Sequence, residues 1–395
     1  MNNLSNTYDD TTAIIVRNKI KVAIVCHIWS HYREPVGKLL MESEHIDYHI
    51  YSSGEKLDGI EHAKITHLSN FHRSTYRYFG KVLWQGDAVR LALSKEYDAL
   101  VLLGDPNFLS TWLGALVCRM RHVPCFYWTH GWLREETGAR RVVRGVFYRL
   151  ASKLLLYSER GKVLGAASGF PESKMTVIYN SLDAERARDI VRRIEGGGLT
   201  DINPRDFFAE ANRPLLICTG RLTEKVGLDL LFDAAAELDL RGRPVNILLV
   251  GDGVERDRLE SRAQAEGLSV HFFGACYREE LVGQLIYRSD LTVAPGKLGL
   301  TAMHTLMYGT PAVTHGDFDH QMPEVEALVE GVTGAFFRRG DAADLANVID
   351  GWLSRQTDRA AIRRAAFREI EAKWTPKRQA EIIERAILEI VNVAG

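Results

Sequence analysis

The stretch APGKLGLTAMHTLMYGTPAVTHGD, from Ala294 to Asp317, decides how the rest of the chain is read. The apolar run Leu291 to Ala294 reads as a strand that breaks at Pro295-Gly296. Gly299 then opens a short apolar helix, which Gly309 and Pro311 stop. A strand that feeds the amino end of a helix leaves unpaired backbone N–H groups above the sheet, a natural seat for an anion. Those groups are the amides of Gly299, Leu300 and Thr301. His304 lies three residues beyond Thr301 and shares its helix face, so it is either a candidate ligand contact or a satisfied core histidine. The stretch has no carboxylate before Asp317.

The same rhythm runs outward in both directions. PLLICTGRL, VNILLVGDG and SVHFFG precede it as strands, and GAFFRR follows it. LDLLFDAAAEL, ERDRLESRAQAEG, REELVGQLIYR and AADLANVIDGWL supply the helices between and after them. The first half repeats the alternation, with strands KVAIVCH, DYHIYSS, ALVLLGD, PCFYWTHG, KLLLYS and TVIYNS. Its helices are EPVGKLLMES, TWLGALVCRM and VVRGVFYRLA. Alternation of this kind implies parallel sheets covered by helices. The polar, Gly-rich stretch RRIEGGGLTDINPRD separates the two series as a linker. The predicted fold is therefore α/β, with two doubly wound Rossmann-like domains facing a cleft. Residues 1–190 form the first and 205–375 the second, with the last helix, 376–395, crossing back to the first. Ligands in such sheets bind beyond the carboxyl ends of the strands.

Composition narrows the class. A chain of 395 residues exceeds one ordinary core, and 46% hydrophobic with 26% charged residues is the balance of a soluble globular protein. A formal net charge of −1 argues against nucleic acid as the main partner. No apolar run approaches the roughly 18–20 residues that span a bilayer, and the opening MNNLSNTYDDTT is unlike a signal peptide. Five scattered cysteines with no CxxC pair read as small buried hydrophobes in a reducing cytoplasm. Residues 140–153 gather Arg140, Arg141, Arg144, Arg149 and Lys153 among apolar residues. That pattern reads either as a peripheral contact with the inner face of a membrane or as a solvated helix face.

Three further strand-end loops carry candidate chemistry. In CTGRLTEKVGLDLL, Gly220 ends a strand and Arg221 and Lys225 follow in a polar loop. Two cations beside backbone amides suit a diphosphate. LLVGDG closes a strand with a tight turn at Gly253. In SVHFFGACYREEL, the backbone around Ala275 could bond the edge of a flat base, and Tyr277 either packs there or joins the core.

The order TGRL, GDG, F-x-G, the opening stretch and PEVEALVEGVTG resembles the nucleotide-sugar domain of GT-B glycosyltransferases, above all the retaining family commonly called family 4. CHIWSHYREPVGKLL, YWTHGW and YSERGKVLGAASGFPESKMTVIYNSLD extend the resemblance across nearly the whole chain from about Lys21. It implies that Arg221 and Lys225 hold the donor diphosphate and that the amides near Gly299 to Thr301 bind the same phosphates. It implies that Ala275 meets the base, that His130 stands near the transferred sugar, and that Trp29, His31, Tyr32 and Arg33 form the acceptor-side lip. No metal or other cofactor is expected, only a nucleoside-diphosphate sugar as donor and a glycan or lipid-linked acceptor.

Two departures qualify the likeness. The family's paired glutamates fall at Gly296 and His304, and its lysine falls at Val226, one position after Lys225. Lys297, Asp317, Asp319, His320 and Glu324 are the nearby groups that could compensate, Glu324 as the start of a helix. DFD, Asp317 to Asp319, has the form of a metal-binding pair but sits in the wrong kind of fold for one. The expected activity is sugar transfer with retention to an acceptor hydroxyl, in cell-surface polysaccharide, lipopolysaccharide or glycolipid assembly. The rivals are a non-catalytic GT-B-shaped subunit and a nucleotide-sugar epimerase or hydrolase.

Overall fold

The computed structural model describes residues 19–55, 61–200, 202–355 and 358–394. The polar opening stretch MNNLSNTYDDTT therefore lies outside the described residues.

The strands are β1 (Ile20–Ile28), β2 (Ile46–Ser53), β3 (Phe71–Arg73), β4 (Arg77–Phe79), β5 (Val82–Trp84), β6 (Ala99–Leu103), β7 (Cys125–Thr129), β8 (Lys153–Leu156) and β9 (Met175–Val177) in the first half. The second half holds β10 (Leu215–Thr219), β11 (Asn246–Val250), β12 (Val270–Gly274), β13 (Leu291–Ala294), β14 (Ala312–His315) and β15 (Gly334–Phe337). The α-helices run in order α1 (Glu34–Met41), α2 (Asp87–Leu93), α3 (Leu109–Met120), α4 (Gly138–Leu150), α5 (Glu159–Ala167), α6 (Ala184–Glu195), α7 (Leu228–Leu240), α8 (Arg256–Ala265), α9 (Glu279–Arg288), α10 (Thr301–Met307), α11 (Ala342–Leu353), α12 (Arg359–Lys373) and α13 (Pro376–Ala394).

Two parallel sheets result, ordered β3-β2-β1-β6-β7-β8-β9 and β12-β11-β10-β13-β14-β15. Parallel strands covered on both faces read as nearly continuous apolar runs, as ALVLL, CFYWT, LLICT and NILLV do. Each sheet is sandwiched between two apolar clusters, one per face. In each sheet the order reverses once, between β1 and β6 and between β10 and β13. A crevice opens at such a switch point, beyond the carboxyl ends of its strands. Residues His27 to Arg33 and Gly104-Asp105 therefore flank the first crevice, and Gly220 to Val226 and Pro295 to Thr301 the second.

The last helix crosses back. Ile383 and Ile387 of α13 are fully buried among Ile24, Tyr48 and Ile50 of the first sheet. Gln379 fixes the crossover, accepting from the Ser181 hydroxyl at 2.7 Å and donating to the Tyr179 carbonyl at 2.7 Å. One feature of the first domain is absent from the strands read in the sequence: the short antiparallel pair β4–β5, closed by Gly80-Lys81 with Gly80 at φ 62°.

The helix read over 140–153 is shorter than its charge pattern suggested. It ends at Leu150, and Lys153 is a buried residue of β8 whose ammonium bonds Glu389 of α13 at 2.9 Å. Arg144 also turns inward, to Glu136 at 2.6 Å and the Tyr148 hydroxyl at 2.9 Å. Arg140, Arg141 and Arg149 remain exposed.

Candidate active site

The second-domain wall is built from two loops held together by backbone. Gly220 leaves β10 at φ 146°, and Arg221 follows, exposed. The chain then makes a tight turn over Glu224–Val226 and enters α7 through Gly227 at φ 71°, a left-handed conformation that favours glycine. Lys225, on that turn, is exposed. The N–H of Gly296 donates to the carbonyl of Val226 at 2.9 Å, so the loop after β13 is tied to the loop after β10. This bond brings the cations Arg221 and Lys225 beside the loop that carries the amides of Gly299, Leu300 and Thr301. Those three N–H groups have no acceptor among the described residues.

Gly296 has no room for a side chain. A Cβ built there would stand 2.3 Å from the Lys225 carbonyl oxygen and 2.9 Å from that of Val226. The position is thus a packed crossing of two backbones, and the Lys225–Val226 turn fills the space a side chain would enter. Gly253 is similar, since its Cβ would lie 2.2 Å from the Leu222 carbonyl oxygen. It supports the Arg221 loop from behind. Buried Gln321, which carried no sequence signal, fastens the other side. Its carbonyl accepts from the Leu298 N–H at 2.8 Å, and its amide donates to Thr314 Oγ1 at 2.9 Å and to the His315 carbonyl at 3.0 Å.

His304 is engaged by the protein. Its Nε2 lies 2.9 Å from Glu279 Oε1, to which the Tyr308 hydroxyl also donates at 2.6 Å. Burial alone would raise the pKa of Glu279, but the bonds from His304 and Tyr308 outweigh it and hold the carboxyl at about 2. Position 304 thus brings a carboxylate to this corner through Glu279, 25 residues away in the chain, at the start of α9. Ala275, in the preceding loop, is exposed, and Tyr277 is 94% exposed, so it does not belong to the core.

The first-domain wall centres on Arg33. Its guanidinium donates to the Tyr157 hydroxyl at 2.6 Å and lies 5.4 Å from the Trp128 ring centre, while its buried Nε has no partner among the described residues. Trp29 corrects the expected lip. It is 1% exposed, packs edge-on against Trp128 and donates its indole N–H to the Arg33 carbonyl at 3.1 Å, so it lies beneath the surface. His31 and Tyr32 stand above it in the turn His31–Arg33. His130, at the end of β7, has its ring 4.9 Å from that of Tyr157. His130 keeps part of its surface open to solvent, and desolvation by its neighbours together with the nearby Arg33 charge lowers its pKa to about 4, with Asp105 opposing, so it is neutral near pH 7. His27 behaves alike and for the same reasons, also reaching about 4. Asp105 and His27 were not singled out in the sequence, although both lie at carboxyl ends of strands beside the switch point.

Of the acidic groups after β14, two are taken. Asp317 lies 2.8 Å from His320 and 3.1 Å from Arg339, and Asp319 pairs with Arg160 of the first domain. Lys297 is exposed beside them. Glu324 is different, and it sits in the tight turn Pro323–Ala327 where a helix start was expected. It is 3% exposed, accepts from Asn180 Nδ2 at 2.8 Å through Oε1, and has a buried Oε2 without a partner among the described residues. Burial raises its pKa, with the Asn180 bond and the Arg33 charge opposing. Glu326, two residues on, reaches across the cleft and accepts from the N–H groups of Glu159 and Arg160 at 2.9 and 2.7 Å. It caps the amino end of α5 from the other domain, where a negative charge is favoured.

Residues 200–369 match the family described as "Glycosyl transferases group 1". The chain is 35% identical over 112 residues to a GDP-mannose-dependent alpha-(1-6)-phosphatidylinositol dimannoside mannosyltransferase of Mycobacterium tuberculosis, covering 28% of this chain and 29% of that one. It is 28% identical over 144 residues to the alpha-D-kanosaminyltransferase of Streptomyces kanamyceticus, covering 35% and 37%. The chain thus spans about a third of the length of these curated relatives. The crystal structure of Anabaena Alr3699/HepE in complex with UDP superposes with a TM-score of 0.63 over 94% of this chain and 100% of that one, at 19% identity. The fold is therefore GT-B.

Proposed function

We propose that this chain, whose second domain belongs to the group 1 glycosyl transferases, transfers a sugar from a nucleoside-diphosphate donor to an acceptor hydroxyl with retention of configuration. The observation that carries the reading is the Gly296–Val226 bond, which joins a loop with two cations to a loop with three amides that have no acceptor among the described residues. A diphosphate seated there gains charge-assisted bonds from Arg221 and Lys225 and further bonds from the amides of Gly299, Leu300 and Thr301. As the sugar–phosphate bond breaks, negative charge grows on the departing diphosphate, and the same groups stabilise it without a metal ion. The UDP carried by the structurally similar Anabaena protein supports a nucleoside diphosphate as the product.

In this reading His130, neutral near pH 7, bonds the sugar from the first domain, while Arg33, His31 and Tyr32 meet the acceptor. Ala275 bonds the base, and the Glu279–His304 pair offers an oriented carboxylate to the ribose hydroxyls. A panel of nucleotide sugars with product analysis tests it. Arg221→Ala is expected to abolish donor turnover, and unchanged turnover would remove the phosphate assignment. A second reading, donor hydrolysis or epimerisation without transfer, is favoured by the filled space at Gly296. Release of nucleotide at an undiminished rate without any acceptor would select it.

The acceptor is proposed to be lipid-linked and the enzyme peripheral, on the cytoplasmic side of a membrane, in polysaccharide or lipopolysaccharide assembly. Among the described residues, no helix is long and apolar enough to cross a membrane. Supporting surface contact, α3 exposes Leu109, Leu113, Leu116 and Met120 at helical spacing. The adjoining α4 exposes Val142, Val143 and Val146 between Arg140, Arg141 and Arg149. An apolar stripe rimmed with cations suits an anionic lipid surface. Co-sedimentation with vesicles of phosphatidylglycerol and phosphatidylcholine is expected to be salt-sensitive and to weaken in Leu113→Glu. Equal recovery with and without anionic lipid would refute it.

A further inference from the structure

At the amino ends of β10 and β13, four arginines converge on one open, shallow recess. Its volume is about 320 Å³, and Asn203, Arg205, Tyr287, Arg288, Arg359 and Arg363 line it. Arg205 comes from the turn Pro204–Phe207, Tyr287 and Arg288 from the carboxyl end of α9, and Arg359 and Arg363 from the first turns of α12. Asp290 anchors the place, its N–H donating to the Leu215 carbonyl at 2.9 Å. Strand β10 runs from there to the cleft, five residues or about 16 Å away.

The charges here do not balance. Asp290 accepts from Arg205 at 2.6 Å and from Arg359 at 2.9 Å, and Glu195 accepts from the Tyr287 hydroxyl at 3.0 Å. Among the described residues, four cations thus face two carboxylates. Among the described residues, Arg288 makes one hydrogen bond, to the Leu199 carbonyl at 2.8 Å, and Arg363 one, to the Tyr287 carbonyl at 2.6 Å. The buried Nε of each has no partner among the described residues. A guanidinium carries five N–H donors, so both arginines hold donors beyond those the protein takes. Arg363 is fixed in place by stacking 3.4 Å over the Tyr287 ring. Burial and the neighbouring Arg359 charge lower its pKa to about 10, a like-charge cost that a bound anion would relieve. Tying down the carbonyls at the end of α9 accounts for Arg359, which bonds those of Tyr287 and Ser289. It does not account for the remaining donors of Arg288 and Arg363.

We propose that this recess binds a small phosphate-bearing solute, seated between Arg288 and Arg363 and separate from the cleft. Calorimetric titration of the full chain with inorganic phosphate at pH 7.5, in an Arg221→Ala background that weakens the cleft's own phosphate contacts, tests the assignment. Saturable binding is expected, and Arg288→Gln should weaken it about tenfold or more through the loss of charge-assisted bonds. Arg363→Gln should do likewise and Arg363→Lys should recover part of the loss, with thermal melting to verify folding. Absence of saturable binding at millimolar phosphate overturns the proposal. So does full affinity in a folded Arg288→Gln variant, which would place the phosphate elsewhere.

Discussion

Adding a single carbon at Gly296 tests whether the wall proposed to seat the donor phosphates is held by two crossing backbones. In Gly296→Ala the new Cβ would lie 2.3 Å from the Lys225 carbonyl oxygen, and ordinary contact begins at 3.4 Å. One loop must retreat by about 1.1 Å. Because the obstructing atoms belong to the backbone, no rotamer change relieves the clash. The retreat strains the Gly296–Val226 bond, worth about 1 kcal/mol, and adds an overpacking cost of about 1–3 kcal/mol. A loss of about 3 kcal/mol lowers Tm by roughly 6–12 °C for a domain of this size. Binding suffers separately. If Arg221 and Lys225 move about 1 Å from the amides of Gly299 to Thr301, at least one charge-assisted bond to a diphosphate is lost. That weakens nucleoside-diphosphate affinity about tenfold or more. Differential scanning fluorimetry and calorimetric titration with a nucleoside diphosphate measure the two effects. Gly296→Glu is expected to fail in the same way and not to raise turnover. A Gly296→Ala protein with unchanged Tm and unchanged nucleotide affinity would refute the reasoning.

Other perturbations probe the rest of the cleft. Burial raises the Glu324 pKa in the folded state, so the stability this carboxyl contributes is present below about 4.5 and lost as pH rises through its folded pKa. Glu324→Gln should therefore hold or raise Tm at pH 8 while cutting turnover, and full turnover in that variant would leave Glu324 a purely structural role. Glu326→Gln should weaken the cross-domain cap on α5 by about 1 kcal/mol and open the molecule, read as a larger radius of gyration by small-angle X-ray scattering; an unchanged radius would speak against a latch. The folded pKa of His27 is lowered to about 4, so its stability contribution is full above about pH 6.5 and lost as pH falls toward 4. The loss amounts to about 3 kcal/mol, and in His27→Gln the fall of Tm between pH 6.5 and 4.5 should flatten; an identical slope would count against it.

The legible parts of this chain are those whose placement follows from topology. Apolar runs such as LLICT and NILLV announce parallel strands, and the reversal of strand order then puts the loops after β10 and β13 together at one crevice. What could not be read depends on chain segments meeting across long separations. Nothing near Gly296 says that the Lys225–Val226 backbone occupies its side-chain space. Nothing near His304 names Glu279 as its partner, and the basic pattern of 140–153 conceals that Arg144 and Lys153 face Glu136 and Glu389. Trp29 reads as a loop residue until Trp128 and Arg33 are seen to enclose it. The β4–β5 pair, with three residues in each strand, is too short to give a strand signal.

The absent carboxylate at position 296 changes how the cleft must be understood. A glycine that left a void there would suggest a damaged site. A glycine that lets two loops cross, and so positions cations beside amides, is part of its construction. A carboxyl group is nonetheless buried at the domain junction, on the turn that follows β14. Glu324 is buried, bonded through one oxygen to Asn180 at the domain junction, and within the electrostatic reach of Arg33 on the opposite wall. Its raised pKa means that the approach of a positive centre would favour its ionised form, whereas a diphosphate alone would favour the neutral one. A buried carboxyl group with one unpartnered oxygen among the described residues is more sensitive to a nearby charge than Asp317, which is partly exposed to solvent and already paired with His320 and Arg339.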